Sequence, residues 1–215
     1  MKNSAPIRTL FVDIGGVLLS NGWDHHARRR AAKEFKLEPV EMEERHQMTI
    51  DPYEKGKLTE DEYLDQVIFY QKRPFSRARF RKFMFSQSRP FPAMLALFRD
   101  LKVKYHLKIV VVSNEARTLN DYRIKKYQLD DFVDAYISSC YVHLRKPDAE
   151  IFRLALDVAH TPPQQVAYLE NTAMFVEIAN GLGIHGVLHT DYQSTCTKLA
   201  SLGLWGSEGV VHVGP

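Results

Sequence analysis

Four short segments of the chain carry residues whose types suit chemistry on a phosphoryl group or an electrophilic carbon. Asp13 follows an apolar run and is followed closely by two glycines. Ser113 and Asn114 come at the end of a second apolar run, Lys146 stands before a proline, and Glu170 ends a third apolar run. A carboxylate displayed at the end of a buried strand can act as a nucleophile and form a covalent intermediate. Asp13 is therefore the first candidate for catalysis.

The other four residues match the needs of a nucleophile that attacks an anion. Ser113 and the backbone N–H of Asn114 can hold phosphate oxygens, and Lys146 can offset the charge of the transferring group. Glu170 near Asp13 would make a carboxylate pair that repels itself unless a cation lies between. Mg²⁺ is the expected cation, because it takes oxygen ligands and needs only one or two carboxylates. Each residue alone also has a structural explanation, as a turn former, a helix cap or a surface charge.

These residues can meet only if strands end together at one edge of a sheet. Short apolar runs typical of buried strands lie at 10–12, 109–112, 166–169 and 184–188, with a weaker one at 135–138. Stretches of helical periodicity lie between or after them at 93–105, 116–127, 148–160, 174–182 and 192–202. This alternation predicts an α/β fold, with a parallel sheet covered by helices on both faces. Sites in such sheets lie at the carboxyl ends of the strands.

The region from about residue 21 to 89 breaks this alternation and predicts a helical insert. Thr59 and Glu62 form a capping box, and an apolar stripe at helical spacing follows them. We therefore expect a core domain made of residues 1–20 and 90–215 and a cap domain made of residues 21–89. Trp23, at the crossing between them, is expected either to line the entrance of the site and bind substrate or to pack in the hinge. The tail at 203–215 predicts irregular structure.

Composition narrows the class of protein. The chain has 215 residues, 45% apolar content, a net charge of +3 and two cysteines, which predict a globular protein in the reducing cytoplasm. No apolar run approaches the roughly 20 residues that span a bilayer, and no signal peptide is evident at the start, so no membrane partner is expected. Six basic residues and two phenylalanines alternate at 72–82, but the mild overall charge disfavours nucleic acid as a partner. A monomer and a homodimer both agree with the sequence.

Taken together and in this order, the four segments resemble the four motifs of the haloacid dehalogenase (HAD) superfamily, over residues 7–202. The string from Lys146 to Phe152 is the most specific match, followed by Asp13 with its glycines. The 100 residues between Asp13 and Ser113 leave room for a helical cap, as in the C1-cap subfamily. The resemblance implies a three-layer Rossmann-like core, a helical cap inserted after the first strand, and an aspartyl-enzyme intermediate. It also implies Mg²⁺, held by Asp13, the Gly15 carbonyl and Glu170.

The chain departs from the family pattern at two positions. Family phosphatases carry a second Asp where this chain has Gly15, and that Asp protonates the leaving oxygen. General acid–base help is worth roughly 10²–10⁴-fold, so its loss favours substrates with good leaving groups. His25, His26 or Glu115 are replacement proton donors to consider. The second departure is Glu170-Asn171, which stands where paired aspartates are usual and where the metal-free dehalogenase branch has a Ser-Asn type segment.

The sequence thus predicts an Mg²⁺-dependent hydrolase, a phosphatase that acts on a small phosphorylated metabolite through an aspartyl phosphate. Asp13, Ser113 and Lys146 are the predicted catalytic residues, and Asn114 and Trp23 are added for substrate binding. The alternatives are a metal-free hydrolase of the 2-haloacid dehalogenase type, and a catalytically weakened protein that binds a phosphometabolite or a protein partner.

Overall fold

A computed structural model describes residues 5–204 of the chain, and its centre is a parallel five-stranded sheet with the order β3-β2-β1-β4-β5. The strands are β1 (Thr9–Val12), β2 (Lys108–Ser113), β3 (Ala135–Ser138), β4 (Val166–Glu170) and β5 (His185–Leu188). Side chains alternate between the two faces of a strand, so Leu10 and Val12 join one hydrophobic core and Phe11 joins the other. Both faces are buried, which explains the continuous apolar runs in the sequence.

Helices cover the two faces of the sheet and complete the predicted three-layer core. After the insert they are α5 (Pro92–Tyr105), α6 (Arg117–Lys126), α7 (Ser139–Val142), α8 (Glu150–Ala159), α9 (Ala173–Gly181) and α10 (Tyr192–Ser201). Helices α5 and α10 contribute to the core on the Leu10 face, and α8 and α9 to the core on the Phe11 face. The α/β fold expected from the alternation is confirmed, and so is the Rossmann-like core that the family resemblance implies. The short α7 was not predicted from the sequence.

Four helices form the segment between β1 and α5. They are α1 (His25–Phe35), α2 (Pro39–Glu54), α3 (Glu60–Val67) and α4 (Arg77–Ser86). Asp24, Thr59 and Ser76 cap the amino ends of α1, α3 and α4 by accepting backbone hydrogen bonds, and Thr59 with Glu62 makes the predicted capping box. These helices lie within 21–89, and we propose that this segment acts as a cap domain on a core of residues 1–20 and 90–215. Most of the tail at 203–215 lies outside the described residues.

The helices of this segment pack around their own aromatic core. Phe35, Tyr63 and Phe80 are buried in it together with smaller side chains. Cations of the basic stretch at 72–82 form ion pairs with carboxylates of neighbouring helices, as between Arg77 and Asp65 and between Arg79 and Glu34. The stretch therefore contributes an aromatic side chain to the core of the segment and arginines to its surface.

Arg123 of α6 connects the two linkers that lead into and out of the helical segment. Its guanidinium donates hydrogen bonds to the Ser20 carbonyl in the first linker (3.1 Å) and to the Ser88 hydroxyl in the second (2.9 Å). It also pairs with the Glu115 carboxylate at 2.5 Å, and both side chains are buried. The linkers, Arg123 and the loop after β2 therefore form one hydrogen-bonded unit.

Among the helices of residues 5–204, none combines the length and the apolar character that crossing a membrane requires.

Candidate active site

The site residues meet because β1, β2 and β4 are parallel neighbours that end at the same edge of the sheet. Val12 pairs with Val111 of β2 and with Leu169 of β4. Asp13 directly follows β1, Ser113 ends β2 and Glu170 ends β4, so register alone brings the three together. The Asp13 N–H donates to the Leu169 carbonyl at 3.0 Å, which extends the pairing by one residue.

Lys146 lies at the centre of the cluster and is almost completely buried. Its Nζ is 3.0 Å from Oδ1 of Asp13, 2.6 Å from Oε2 of Glu170 and 3.0 Å from the Tyr168 hydroxyl. The side chain of Asn114 holds the lysine backbone from both sides: Nδ2 donates to the Lys146 carbonyl (2.9 Å) and Oδ1 accepts from the Lys146 N–H (2.8 Å). Asn114 therefore positions Lys146 through its side chain.

The remaining contacts fix the serine and the glutamate. The Ser113 hydroxyl lies 3.4 Å from both the Ile14 N–H and the Glu115 carboxylate. Oε2 of Glu170 accepts from the Tyr168 hydroxyl at 2.5 Å in addition to Lys146, and Oε1 accepts from the Thr172 N–H at 2.9 Å. Both carboxylate oxygens of Glu170 are thus held by protein donors.

Burial dominates the electrostatics of the cluster. It raises the pKa of Asp13 to about 7, against the opposing effect of Lys146. For Lys146, burial acts to lower the pKa, but the carboxylates of Asp13 and Glu170 outweigh it and raise the pKa above its ordinary value. Burial also raises the pKa of Tyr168 well above its usual range, so the hydroxyl stays protonated and donates a hydrogen bond to Glu170. Lys146 therefore supplies a permanent positive charge beside Asp13.

Oxygen atoms beside Asp13 fit the requirements of Mg²⁺. The end of the Asn171 side chain lies 3.0 Å from both the Gly15 carbonyl and Oε1 of Glu170. When Nδ2 of Asn171 points toward these two oxygens, the amide donates a hydrogen bond to each of them. When Oδ1 points toward them instead, three oxygen atoms lie together, with Oδ1 3.0 Å from both the Gly15 carbonyl oxygen and Oε1 of Glu170. Adjacent ligands of an octahedral Mg²⁺ with bonds of 2.0–2.1 Å are about 2.9 Å apart. Within residues 5–204 no group of three His, Cys, Asp or Glu side chains could hold a metal, and Mg²⁺ does not need one.

Gly16 allows Asn171 to approach this closely. Its φ is +78°, and a Cβ placed on it would lie only 2.4 Å from Nδ2 of Asn171. Real Cβ atoms do not come so near another heavy atom, so any larger residue would displace the amide. Gly16 therefore allows the loop after β4 to pack closely against the loop after β1.

A cavity of about 360 Å³ opens onto these groups between the core and the helical segment. Asp13, Lys146 and Glu170 line it from the core, and Trp23 and His46 line it from the helical segment. Trp23 is buried, donates from Nε1 to the Tyr63 hydroxyl at 2.8 Å and packs edge-on against Phe80. Trp23 thus belongs both to the cavity wall and to the aromatic core of the helices.

The three side chains considered as replacement proton donors are placed differently. Glu115 lines the cavity, but it is buried in its pair with Arg123; burial raises its pKa, against the opposing effect of Arg123. His25 lines the cavity from the amino end of α1. His26 is exposed and contacts the ring of His25, with ring centres 3.9 Å apart and the planes tilted by 38°.

Some residues of the site were missed from the sequence. Tyr168 and Glu170 are two positions apart in β4 and therefore share a face, which could have indicated their contact. Asn171 was noted only as a departure from the motif, and its contact with Gly15 depends on how two loops pack. His46 lies in mid-helix without any local motif, so no sequence signal identified it.

This geometry defines a Rossmann-like enzyme core with a buried aspartate and lysine at the strand ends and a helical insert above them. A family model for haloacid dehalogenase-like hydrolases matches residues 7–183, and the chain belongs to that family. The resemblance found from the four motifs is confirmed, and with it the assignment as a hydrolase.

Two curated relatives are similar to the chain. A sesquiterpene phosphatase of Aspergillus oryzae is 27% identical over 156 residues, which cover 72% of this chain and 79% of the relative. A drimenol cyclase of Aspergillus calidoustus is 26% identical over 190 residues, or 85% of this chain. The matched region spans only 34% of that cyclase, about a third of its length.

Solved structures share the fold at low sequence identity. A HAD-family enzyme of Bacteroides thetaiotaomicron in complex with magnesium superposes with a TM-score of 0.72 at 21% identity, covering 86% of this chain and 94% of that one. An L-2-haloacid dehalogenase of Xanthobacter autotrophicus has a TM-score of 0.60 at 16% identity, covering 91% and 83%. These likenesses concern the fold alone.

Proposed function

We propose that the protein is an Mg²⁺-dependent phosphatase that hydrolyses a small phosphorylated metabolite through an aspartyl phosphate. The observation that carries the proposal is the buried Lys146 ammonium 3.0 Å from Asp13, at the wall of a cavity large enough for a small substrate. An ammonium beside the nucleophile attracts a phosphate dianion and offsets the charge that gathers on its oxygens.

The proposed reaction has two steps, both at Asp13. An oxygen of the carboxylate attacks phosphorus in line and the new P–O bond forms. The bond to the leaving alcohol breaks, and the alcohol oxygen takes up a proton from water. Lys146, Ser113 and the N–H of Asn114 hold the equatorial oxygens during this transfer. A water molecule then attacks the phosphorus of the aspartyl phosphate, which releases inorganic phosphate and restores the carboxylate.

The residues proposed to hold Mg²⁺ are Asp13, the Gly15 carbonyl and Glu170. We add to this proposal the side-chain oxygen of Asn171, in the amide orientation that turns it toward the Gly15 carbonyl. When bound, the ion would supply positive charge that neutralises the phosphoryl oxygens. Because Oε2 of Glu170 already accepts from Lys146 and Tyr168, we propose that Oε1, which accepts from the Thr172 N–H, is the Glu170 oxygen that would face the ion.

Relatives give independent support to this choice of chemistry. One curated relative is named a sesquiterpene phosphatase, and a structural relative was solved with magnesium. Lipophilic phosphate esters are therefore a reasonable part of any substrate panel. The competing chemistry is C–halogen hydrolysis by the same aspartate, since a dehalogenase with covalently bound chloropropionic acid shares the fold.

The test is hydrolysis of a phosphometabolite panel with Mg²⁺ and with EDTA, comparing the wild type with Asp13→Asn. Asp157→Asn, an exposed acid on α8, is the matched control. We expect phosphate release that needs Mg²⁺, survives in the control and is lost in Asp13→Asn. Activity that survives Asp13→Asn would refute the nucleophile. Halide release from 2-chloropropionate in EDTA would favour the dehalogenase, and stabilisation by a phosphometabolite without turnover would favour a binding protein.

A further inference from the structure

A chain of buried hydrogen bonds in the helical segment ends at the cavity. Nε1 of Trp23 donates to the Tyr63 hydroxyl at 2.8 Å, and the same hydroxyl lies 2.8 Å from Nδ1 of His46. The three side chains come from the linker before α1, from α3 and from α2, and all are buried. Each link therefore joins a different part of the helical segment.

The direction of these two hydrogen bonds determines which ring nitrogen of His46 carries the hydrogen. An indole N–H can only donate, so the Tyr63 oxygen accepts from Trp23. The hydrogen of Tyr63 then needs an acceptor, and within residues 5–204 the atom placed to take it is Nδ1 of His46. The opposite tautomer would leave a buried hydroxyl hydrogen without a partner, which is unfavourable. His46 consequently carries its hydrogen on Nε2.

The surroundings keep the ring neutral. Burial and the nearby Arg28 lower the pKa of His46 to about 3, and Arg145 acts in the same direction. Glu43 opposes them, but its carboxylate is engaged by Arg28 through two hydrogen bonds of 2.7 Å. His46 is thus a neutral donor across the pH range in which the protein would work.

His46 lines the cavity, and within the described residues its Nε2 atom has no hydrogen-bond partner and is not among the fully buried side-chain atoms that lack one. Because Nε2 keeps some exposed surface, the cavity is where it can meet a bound molecule. The wall of the helical segment carries the apolar and aromatic side chains of Trp23, Ile50, Tyr53 and Met84 beside polar ones, namely Asn21, Asp24, His25, Arg28 and Glu54. A neutral N–H without a partner suits an uncharged acceptor oxygen on a bound molecule.

We propose that His46 is a specificity-determining residue that recognises the leaving group of the substrate through a hydrogen bond. The substrate class is a phosphate ester of an alcohol that carries an uncharged acceptor oxygen, which receives the hydrogen bond from Nε2 of His46. This inference rests on the proposed phosphatase function and adds to it the chemistry of the leaving group. Trp23 and Tyr63 are positioning residues, because they act through His46.

The first test needs no activity. Nitrogen-15 NMR of the ligand-free protein is expected to give the Nε2–H tautomer of His46, unchanged from pH 8 down to about pH 5. In Tyr63→Phe the fixed tautomer should be lost, because Nδ1 no longer has its donor. An Nδ1–H tautomer in the wild type, or titration near pH 6.5, would overturn the proposal.

The second test compares leaving groups of equal size. Acetylphenyl phosphates (2-, 3- and 4-isomers) carry an acceptor oxygen that isopropylphenyl phosphates lack. For the preferred isomer, His46→Leu should lower the ratio of kcat/KM between the acetyl and isopropyl esters about tenfold, the value of one hydrogen bond of about 1.4 kcal/mol. His46→Gln, which keeps an N–H donor, should restore part of the ratio. An unchanged ratio in His46→Leu would overturn the proposal.

The two failures can be told apart by binding of the product phenols. If Asp13→Asn retains activity or no ester is cleaved, the phosphatase proposal fails. Calorimetry with acetylphenol and isopropylphenol then decides the role of His46: a preference for acetylphenol that is lost in His46→Leu supports it, and equal affinities refute it.

Discussion

Replacing Gly22 by alanine should break the hydrogen-bonded unit around Arg123. Gly22 has a φ of +69°, and a Cβ on it would lie 1.8 Å from Nη2 of Arg123 and 3.3 Å from the Ser88 hydroxyl. Arg123 is buried and bonded to Ser20, Ser88 and Glu115, so any movement of its guanidinium breaks these hydrogen bonds. The methyl group must therefore displace the guanidinium.

The cost has two parts. An alanine held in the left-handed region costs about 1–2 kcal/mol. Moving the guanidinium away from Glu115 leaves a buried carboxylate without its partner, which costs about 3–5 kcal/mol. We therefore expect Gly22→Ala to lower the free energy of unfolding by about 4–7 kcal/mol.

Gly183 offers a matched control for the backbone part. Its φ is +83°, but the nearest atom to an added Cβ is 3.5 Å away, at ordinary contact distance. Gly183→Ala should therefore cost only the first part, about 1–2 kcal/mol. Equilibrium urea unfolding of the two variants and the wild type measures the difference. A value for Gly22→Ala within about 1 kcal/mol of the control would refute the reasoning.

A double-mutant cycle tests the named partner. In an Arg123→Ala background the clash is absent, so Gly22→Ala should again cost about 1–2 kcal/mol. If Gly22→Ala keeps its full cost without the arginine, then the clash with Arg123 is not the cause.

Three further outcomes concern the site. In EDTA the buried Asp13, with its pKa raised from 3.8 to about 7, should stabilise the fold below pH 4 and lose that contribution as the pH rises through 7. Relative to Asp13→Asn, the free energy of unfolding in urea should therefore fall by up to about 4 kcal/mol between pH 4 and 8. A difference between the two proteins that does not change with pH would contradict this prediction. Gly16→Ala should weaken Mg²⁺ binding about 10–100-fold by calorimetry, whereas Gly181→Ala, with no atom within 4 Å of its Cβ, should bind as the wild type does. Lys146→Met should lower kcat about 10²–10³-fold, and a smaller loss would contradict the proposed role of Lys146 in stabilising the charge on the transferring group.

The parts of the fold that follow from local pattern were predictable. Val12 and Leu169 lie in apolar runs typical of strands buried on both faces, and parallel pairing then places the residues after them at one edge. Asp13 and Glu170 could be brought together in this way because the rule depends on topology and not on side-chain detail. The helical segment could be predicted as helical, since Thr59 and its capping box mark a helix start.

The contacts between helices and loops could not be predicted. The meeting of His46 and Tyr63 depends on how α2 and α3 pack, and the sequence separation of 17 residues carries no rule for it. The approach of Asn171 to Gly15 depends on loop conformation, which side-chain packing decides. Arg123 gave no signal either, because an arginine within a helical stretch is usually solvated, whereas here it lies between two linkers.

The two departures from the family pattern act together on the charge of the site. When Asp13 is ionised, Asp13 and Glu170 bring two negative charges and Lys146 one positive charge, so the cluster then carries one net negative charge without an ion. Further aspartates at positions 15 and 171 would raise the net negative charge of the cluster to three. With glycine and asparagine there, one bound Mg²⁺ would turn the cluster positive, which favours a phosphate dianion. The same substitutions remove the charge that would hold the ion tightly and the acid that would protonate a poor leaving group. Phosphate esters with leaving groups that need little protonation, such as phenols, are therefore the substrates on which this site should be tested first.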